Sequence, residues 1–150
     1  MDRIYMAIAT GGGSGYLPKA PGTWGSLVGV LLWFFLHGLS PAHYGLLVVG
    51  LFILGAIAAG AAEKIVDHAD PGLVVIDEIV GQMIALAASP IHPLTIILGF
   101  VFFRFFDILK PFPVGWLDSH IHGGLGIMLD DVAAGLYGLL LLQTGLWLFY

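Results

Sequence analysis

The most prominent pattern in the sequence is a series of long apolar runs separated by short polar or turn-forming stretches. Runs of this kind predict apolar helices, and about 20 apolar residues suffice for a helix to cross the hydrocarbon of a bilayer. The pattern predicts an all-α, integral-membrane helical bundle with about five membrane helices. The five apolar segments are Ser26 to Leu39, Tyr44 to Ala62, Asp77 to Ala88, Leu94 to Leu109 and Val132 to Tyr150.

The stretches between these segments are rich in glycine, proline and polar residues. Thr10 to Gly25 holds too much glycine and proline for a regular helix and predicts a structured loop. Glu63 to Ile76 is a polar interlude, and Lys110-Pro-Phe-Pro113 ends the fourth segment because proline cannot continue a helix. Val114 to Leu129 predicts a second loop with a glycine cluster.

If the chain crosses the bilayer at each segment, every charged side chain falls on one side. The connections on the other side, Gly38 to His43 and Ser89 to Pro93, contain no Lys, Arg, Asp or Glu. Basic residues mark the cytoplasmic side of membrane proteins. We therefore expect a structured cytoplasmic face that holds the chemistry.

Composition supports this interpretation and limits the function. The chain of 150 residues is 59% hydrophobic and 10% charged, whereas ordinary soluble domains are about 25% charged. Its length predicts a single membrane-embedded domain covering residues 1–150. The net charge of -5 argues against a nucleic-acid partner, and the absence of cysteine excludes thiolate catalysis and thiolate-bound zinc.

Two acidic pairs stand where apolar segments begin. We predict that Asp77-Glu78 opens one helix and that Asp130-Asp131 opens another, while Asp107 lies at the cytoplasmic end of a third. Carboxylates at a helix start are also ordinary capping groups, which is the alternative interpretation for Asp77 or Asp130 taken alone. Adjacent carboxylates repel unless a cation lies between them, and hard oxygen ligands suit Mg²⁺. We predict a Mg²⁺ site that includes Asp77, Glu78, Asp130 and Asp131.

Arg104, Asp107 and Lys110 follow one another at intervals of three residues, so they share one helical stripe. They could form an ion-pair ladder and nothing more. The alternative places Asp107 near the metal and the two cations against an anionic oxygen group, since a guanidinium matches phosphate geometry.

The segment Pro18 to Ser26 ends at a helix N-terminus, where free N–H groups favour an anion. Lys19 and Thr23 are therefore candidate phosphate contacts, although Thr23 could serve only as a cap. His120 and His122 lie on a loop, where histidines are more often solvated than metal-bound, and we assign them no role.

Four blocks of the sequence resemble the phosphatidylglycerophosphatase A family of bacterial lipid phosphatases. They occur in the family's order and together run through most of the chain. The blocks are Pro18-Lys-Ala-Pro-Gly-Thr-Trp-Gly-Ser26, Asp70-Pro-Gly-Leu-Val-Val-Ile-Asp-Glu-Ile-Val-Gly81, Arg104-Phe-Phe-Asp-Ile-Leu-Lys-Pro-Phe-Pro113 and Gly123-Gly-Leu-Gly-Ile-Met-Leu-Asp-Asp-Val-Ala-Ala-Gly135.

The resemblance implies a Mg²⁺-dependent enzyme of the bacterial inner membrane that removes the terminal phosphate of phosphatidylglycerophosphate to give phosphatidylglycerol. The resemblance further implies that phosphatidylglycerophosphate is the substrate, that membrane lipids surround the protein, and that the active site lies on the cytoplasmic face. The acidic motif positions are Asp77, Glu78, Asp107, Asp130 and Asp131, of which we take Asp77, Glu78, Asp107 and Asp131 as catalytic. The phosphate contacts are Lys19, Thr23, Arg104 and Lys110.

Two nucleophiles remain open: a water molecule, or a carboxylate such as Asp107 or Asp131 that forms an aspartyl-phosphate. The alternative function is a carboxylate-based ion or solute transporter of the inner membrane, which predicts charges at mid-membrane depth. A phosphoalcohol transferase would require an Asp-x-x-Asp-Gly-x-x-Ala-Arg run, which the sequence lacks. A purely structural bundle would leave the acidic pairs unexplained.

Overall fold

The computed structural model describes residues 1–149, and every regular element in that range is helical. The predicted all-α class is confirmed. A short 3-10 turn, Ser14–Tyr16, lies in the glycine-rich loop. The helices are α1 (Asp2–Ala9), α2 (Pro21–Leu36), α3 (Pro41–Val66), α4 (Ile76–Ala85), α5 (Pro93–Leu109), α6 (Val114–His120) and α7 (Gly123–Phe149).

Each predicted apolar segment lies on a helix, but several boundaries differ. α2 begins at Pro21, inside the predicted loop, because proline suits the first helical position, where its missing N–H would have no partner. α6 forms within the second predicted loop. α7 begins at Gly123, so the second half of that loop is helical as well. Tyr150, the end of the fifth predicted segment, lies outside the described residues.

Gly124, near the start of α7, packs closely against α3. A Cβ on Gly124 would lie 2.5 Å from the Gly60 nitrogen and would also overlap the carbonyl oxygen of Ala56. Only glycine permits two helices to approach this closely. Tertiary packing therefore overrides the loop tendency of the Gly123-Gly-Leu-Gly126 cluster.

The helices differ in their capacity to cross a bilayer. α3, with 26 residues, and α7, with 27 residues, are long and apolar enough to span one. α2 and α5, with 16 and 17 residues, reach about 24 to 26 Å at about 1.5 Å per residue, against a hydrocarbon thickness of about 30 Å. α4 has 10 residues and reaches only about 15 Å. Two helices meet the length requirement, not the five that the sequence pattern predicts.

The helices nevertheless alternate in direction, as the sequence predicts. Gly22 at the start of α2 lies against Glu78 at the start of α4 and Arg104 near the end of α5. At the opposite end of the bundle, the Tyr44 hydroxyl near the start of α3 donates to the Met83 carbonyl oxygen near the end of α4, at 2.8 Å. One end of the bundle thus gathers the acidic and basic motifs.

α4 lies at the centre of the bundle, packed against α2, α3, α5 and α7. Most of its residues are buried, including Ile79, Val80 and Met83. A pair of glycines brings α4 and α7 into backbone contact: a Cβ on Gly135 would lie 2.5 Å from the Gly81 carbonyl oxygen. Gly81 lies about one turn beyond the Asp77-Glu78 pair, and Gly135 lies one turn beyond Asp131. The close approach therefore sets how near these carboxylates come to one another.

Candidate active site

The first acidic pair lies in the first turn of α4, in a position fixed by the preceding segment. The Val75 amide donates to the Ala9 carbonyl oxygen at 2.8 Å, which ties the start of α4 to the end of α1. Asp77 is buried, and its Oδ1 has no hydrogen-bond partner. Val75 is the N-cap residue of α4, so Asp77 and Glu78 do not occupy the capping position.

The second acidic pair does not open a helix, contrary to the prediction. Because α7 begins at Gly123, Asp130 and Asp131 lie two turns inside it, and both are buried. Neighbouring residues on an α-helix project about 100° apart. The two carboxylates therefore face different surroundings, and a capping role is excluded for both.

Three carboxylates from α4 and α7 converge. One oxygen each from Asp77, Glu78 and Asp131 lies within 4.8 Å of the other two. Each of the three residues also has a buried oxygen without a hydrogen-bond partner: Asp77 Oδ1, Glu78 Oε2 and Asp131 Oδ2. Buried polar atoms in folded proteins are nearly always paired, and unpaired buried carboxylates strongly repel one another. Among the described residues, this group has one basic neighbour, Arg104, whose Nη1 lies 3.9 Å from Glu78 Oε1, so a bound cation would relieve the remaining repulsion.

A hard divalent cation fits this group of residues. Carboxylate oxygens are the ligands that Mg²⁺ prefers, and an ion between them would offset their repulsion and satisfy the unpaired atoms. The absence of sulfur and histidine among the three residues argues against softer metals.

Asp130 has different partners. Its Oδ2 accepts a hydrogen bond from Lys110 Nζ at 3.0 Å, and its Oδ1 accepts one from the Asp131 amide at 3.0 Å. Lys110 also forms an ion pair with Asp118, at 2.8 Å. Among the predicted metal ligands, Asp130 is the one that lies outside the group of three converging oxygens.

Lys110 ends α5 in a left-handed backbone conformation, with φ of 48°. Burial lowers the pKa of its ammonium group, but hydrogen bonds to Asp118 and Asp130 and the charges of both carboxylates outweigh burial and raise the pKa above its usual range. Lys110 therefore stays charged at all physiological pH values.

Arg104 lies on the other side of the converging group. Its Nη1 donates to Asp107 Oδ2 at 2.5 Å and lies 3.9 Å from Glu78 Oε1. The predicted ladder is thus only partly formed: Arg104 pairs with Asp107, whereas Lys110 turns away toward Asp118 and Asp130.

A cavity of about 250 Å³ at the charged end of the bundle joins the carboxylates and Lys110, and Arg104 does not line it. Glu63, Asp70 and Asp118 belong to its wall, although the sequence prediction did not assign them to the site. The Asp70 amide donates to Glu63 Oε1 at 3.0 Å, so the connection between α3 and α4 closes part of the cavity. The only available signal for Asp70 was its position at the start of one family-like block. The charged residues and the histidine in the wall are Glu63, Asp70, Asp77, Glu78, Asp107, Lys110, Asp118, His122, Asp130 and Asp131.

The N-terminal loop reaches the site through its backbone. Gly22 lies so close to Glu78 and Arg104 that a Cβ there would overlap the Glu78 carboxylate. Lys19 is exposed and Thr23 is half-buried, and neither lines the acidic cavity. The structure therefore does not bring these two predicted phosphate contacts to the cavity with Lys110.

The matching family model and two similar proteins carry the same name. The family model described as Phosphatidylglycerophosphatase A matches residues 7–146. A phosphatidylglycerophosphatase A of Escherichia coli is 38% identical over 136 residues, covering 90% of this chain and 79% of the relative. A phosphatidylglycerophosphatase A of Haemophilus influenzae is 42% identical over 135 residues, covering 89% of this chain and 83% of the relative.

A third relative carries a different substrate in its name. A protein of Bacteroides thetaiotaomicron, provisionally named a phosphatidylinositol-3-phosphatase, is 39% identical over 150 residues, covering 95% of this chain and 93% of the relative. No solved structure matches the chain. All three names describe phosphatases that act on phospholipid phosphomonoesters.

Proposed function

The chain belongs to the phosphatidylglycerophosphatase A family, and on this premise we propose that it hydrolyses the terminal phosphate of phosphatidylglycerophosphate to give phosphatidylglycerol. The observation that carries the proposal is the convergence of Asp77, Glu78 and Asp131 with unpaired buried oxygens beside an acidic cavity. Such a site suits a cation-assisted reaction at a phosphomonoester.

We propose Mg²⁺ as the cation, held by Asp77, Glu78 and Asp131. When bound, it supplies Lewis-acid polarisation of a phosphoryl oxygen. Asp130 lies next to this group, and it would join the ligands only if its contact with Lys110 were released. The donor set supports a hard cation, and the choice of Mg²⁺ rests on the preference of that ion for carboxylate oxygens.

The basic residues have separate tasks in this proposal. Lys110 lines the cavity with a permanent positive charge, so it attracts the phosphate and offsets negative charge that develops on the phosphoryl oxygens. Arg104 has donors beyond the one bound to Asp107, and these can bind a phosphate oxygen. Asp107 holds the Arg104 guanidinium in place.

In the reaction, the bond between phosphorus and the glycerol oxygen breaks, and an oxygen nucleophile forms the new bond to phosphorus. If water attacks, Asp107 or Asp131 accepts its proton, and the departing glycerol oxygen receives a proton. If one of these carboxylates attacks instead, water later cleaves the aspartyl-phosphate. Borohydride treatment of an acid-quenched single turnover distinguishes the routes, because only an aspartyl-phosphate is reduced to homoserine.

We place the protein in the bacterial inner membrane with the cavity at the cytoplasmic face. α3 and α7 would span the bilayer, and α2, α4 and α5 would cross a locally thinner region. The chain has no cysteine, so single cysteines can be introduced at Ala42, His92 and Gly72. An impermeant thiol reagent should label the first two from the periplasm and the third only from the cytoplasm. The reverse pattern would contradict this topology.

The activity test uses purified protein and phosphatidylglycerophosphate in mixed micelles. Phosphate release should require Mg²⁺ and stop with EDTA. Absence of release from the wild-type protein would reject the proposed substrate, and undiminished release in EDTA would reject the cation. The transporter alternative is not favoured, because the named relatives are phosphatases.

A further inference from the structure

The outer surface of α5 contains a shallow apolar groove with a volume of about 520 Å³. Its wall includes a single charged side chain, and the others are aliphatic or aromatic. The residues lining it are Phe100, Val101, Arg104, Phe105, Ile108 and Leu109. The Arg104 side chain is 18% exposed, and its charge is partnered by Asp107 and, at 3.9 Å, by Glu78.

An exposed apolar stripe continues the groove toward the uncharged end of the bundle. Val101, Ile97 and Leu94 precede Arg104 at intervals of three or four residues, so all four share one helix face. The three apolar residues are 50%, 58% and 54% exposed. Leu94 and Arg104 are ten positions apart, which is about 15 Å along the helix axis. That length is about half the thickness of the hydrocarbon, or one leaflet.

Arg104 connects this stripe to the acidic cavity. Its guanidinium group contacts Asp107 at 2.5 Å and lies 3.9 Å from Glu78. Both of these carboxylates line the cavity. A molecule that lies on the stripe and reaches past Arg104 therefore arrives at the proposed site of hydrolysis.

We propose that this stripe binds an acyl chain of the phospholipid substrate, with Arg104 contacting a phosphate oxygen of its headgroup. This inference rests on the proposed function and specifies how the lipid is held. A phospholipid has an anionic phosphate at one end and an acyl chain about one leaflet long. The guanidinium group complements the charge of the phosphate, and the apolar stripe has about the length of the acyl chain. Guanidinium donors left free by Asp107 form the contact. Bulk lipid without preference for the stripe is the competing occupant, and the experiments below distinguish the two.

The first experiment measures occupancy without turnover. A photoreactive diazirine amino acid that is similar in size to the native aliphatic side chain can be incorporated in place of Val101, or in place of Leu140, an exposed position on α7. Full-length protein is placed in phosphatidylcholine vesicles that contain labelled phosphatidylglycerophosphate, with EDTA present. We expect crosslinking to favour the phosphomonoester lipid about fivefold at position 101, an amount typical of one charge-assisted contact, and no preference at position 140.

Substitution Arg104→Gln should abolish the preference at position 101. Equal lipid ratios at positions 101 and 140 would overturn the proposal. A preference that survives Arg104→Gln would overturn the assigned role of the guanidinium group.

The second experiment measures hydrolysis of two substrates that differ only in their chains. Val101→Trp fills the stripe and should raise KM for the dioleoyl lipid about tenfold, because part of the acyl chain can no longer be buried against the helix. KM for the deacylated, water-soluble phosphomonoester should not change, which also shows that the variant is folded. The control, Leu140→Trp, should leave both KM values unchanged.

An equal effect of Val101→Trp on both substrates, or no effect on either, would overturn the proposal. If the wild-type protein hydrolyses neither substrate, the proposed function fails, but the crosslinking ratio still decides whether the stripe selects a phosphomonoester lipid. If hydrolysis occurs without any chain dependence, the function stands and the acyl-chain site is rejected.

Discussion

Two acidic groups line the same cavity and differ in what neutralises them. The inner group consists of Asp77, Glu78 and Asp131, and each of its members has a buried oxygen without a hydrogen-bond partner. The outer group consists of Asp118 and Asp130, which share the Lys110 ammonium at 2.8 and 3.0 Å. The nearest cation to the inner group is the Arg104 guanidinium, 3.9 Å from Glu78.

The difference indicates where an external cation is required. A buried carboxylate without a partner costs several kcal/mol, so a stable site must supply its counter-charge. In the outer group the chain does this with Lys110. In the inner group, the ion pair that the described residues form is the contact of Glu78 with Arg104, which also pairs with Asp107, and Asp77 and Asp131 have no basic partner. Of the two groups, only the inner one therefore contains buried carboxylates without a basic partner, which a bound cation would neutralise.

The sharpest test removes charge from each group in turn. Asp77→Asn and Asp131→Asn should each lower kcat about 1,000-fold, because the cation and its charge stabilisation are lost. In EDTA both variants should melt at a higher temperature than the wild type, since one repelling charge has been removed. Phosphate release and thermal unfolding check the two expectations. Near-normal activity in both variants would show that the inner group does not hold the reacting centre.

The second test moves the inner group without changing its chemistry. A Cβ on Gly135 would lie 2.5 Å from the Gly81 carbonyl oxygen, so Gly135→Ala must push α7 away from α4. A displacement of about 1 Å in an active site costs about 100-fold in rate. We expect that loss in kcat, together with about 1 to 3 kcal/mol of destabilisation from overpacking.

Gly145 provides the matched control on the same helix. A Cβ there would meet no atom within 4 Å. Gly145→Ala should leave kcat unchanged and slightly stabilise α7, since alanine is the better helix former by about 1 kcal/mol. If both alanine variants retain full activity, the close approach of α4 and α7 does not position the carboxylates.

Hydrophobic patterning predicts most of the fold and misses the elements that depend on packing. Long apolar runs identify α3 and α7, because both helices are apolar over most of their length. The short helices α1 and α6 have no comparable run. The start of α7 at Gly123 depends on contacts with α3, which cannot be inferred from the glycine-rich sequence alone.

The site illustrates the same limit at the level of single side chains. Adjacency in sequence singles out Asp130 and Asp131 together, but their separate partners follow from the helical geometry around them. Asp131 faces α4, whereas Asp130 faces Lys110. The different partners of Asp130 and Asp131 could be predicted only if α7 were known to extend through both residues. Lys19 shows the converse, because a positive charge in a family-like block lies outside the cavity.

Cation binding gives the third test of the comparison. A ligand that binds only the folded state at 100 times its Kd stabilises the protein by about 2.7 kcal/mol. Mg²⁺ should therefore raise the melting temperature of the wild-type protein, and Asp131→Asn should eliminate the increase. Asp118→Asn should retain it, since its carboxylate is paired with Lys110. An equal Mg²⁺ effect in both variants would place the cation elsewhere.

A fourth test exchanges the roles of the two groups. Lys110→Met removes the ammonium and leaves Asp130 buried without its partner. We expect kcat to fall about tenfold, because one cation facing the phosphate is lost. The variant should also bind a divalent ion at the outer group, seen as a second binding event by calorimetry. One binding event and unchanged kcat would show that Lys110 has no electrostatic role in the cavity.

The smallest effect is expected at the rim, where Asp118 faces solvent. Its side chain is 42% exposed, and exposed ion pairs contribute only about 0 to 1 kcal/mol. Asp118→Asn should therefore change stability very little and kcat by less than about twofold. Lys110 keeps Asp130 as a partner, so its charge remains in place. Activity of Asp118→Asn is measured beside that of Asp131→Asn. A large loss of activity in Asp118→Asn would mean that the outer group takes part in the reaction, although its carboxylates are paired with Lys110.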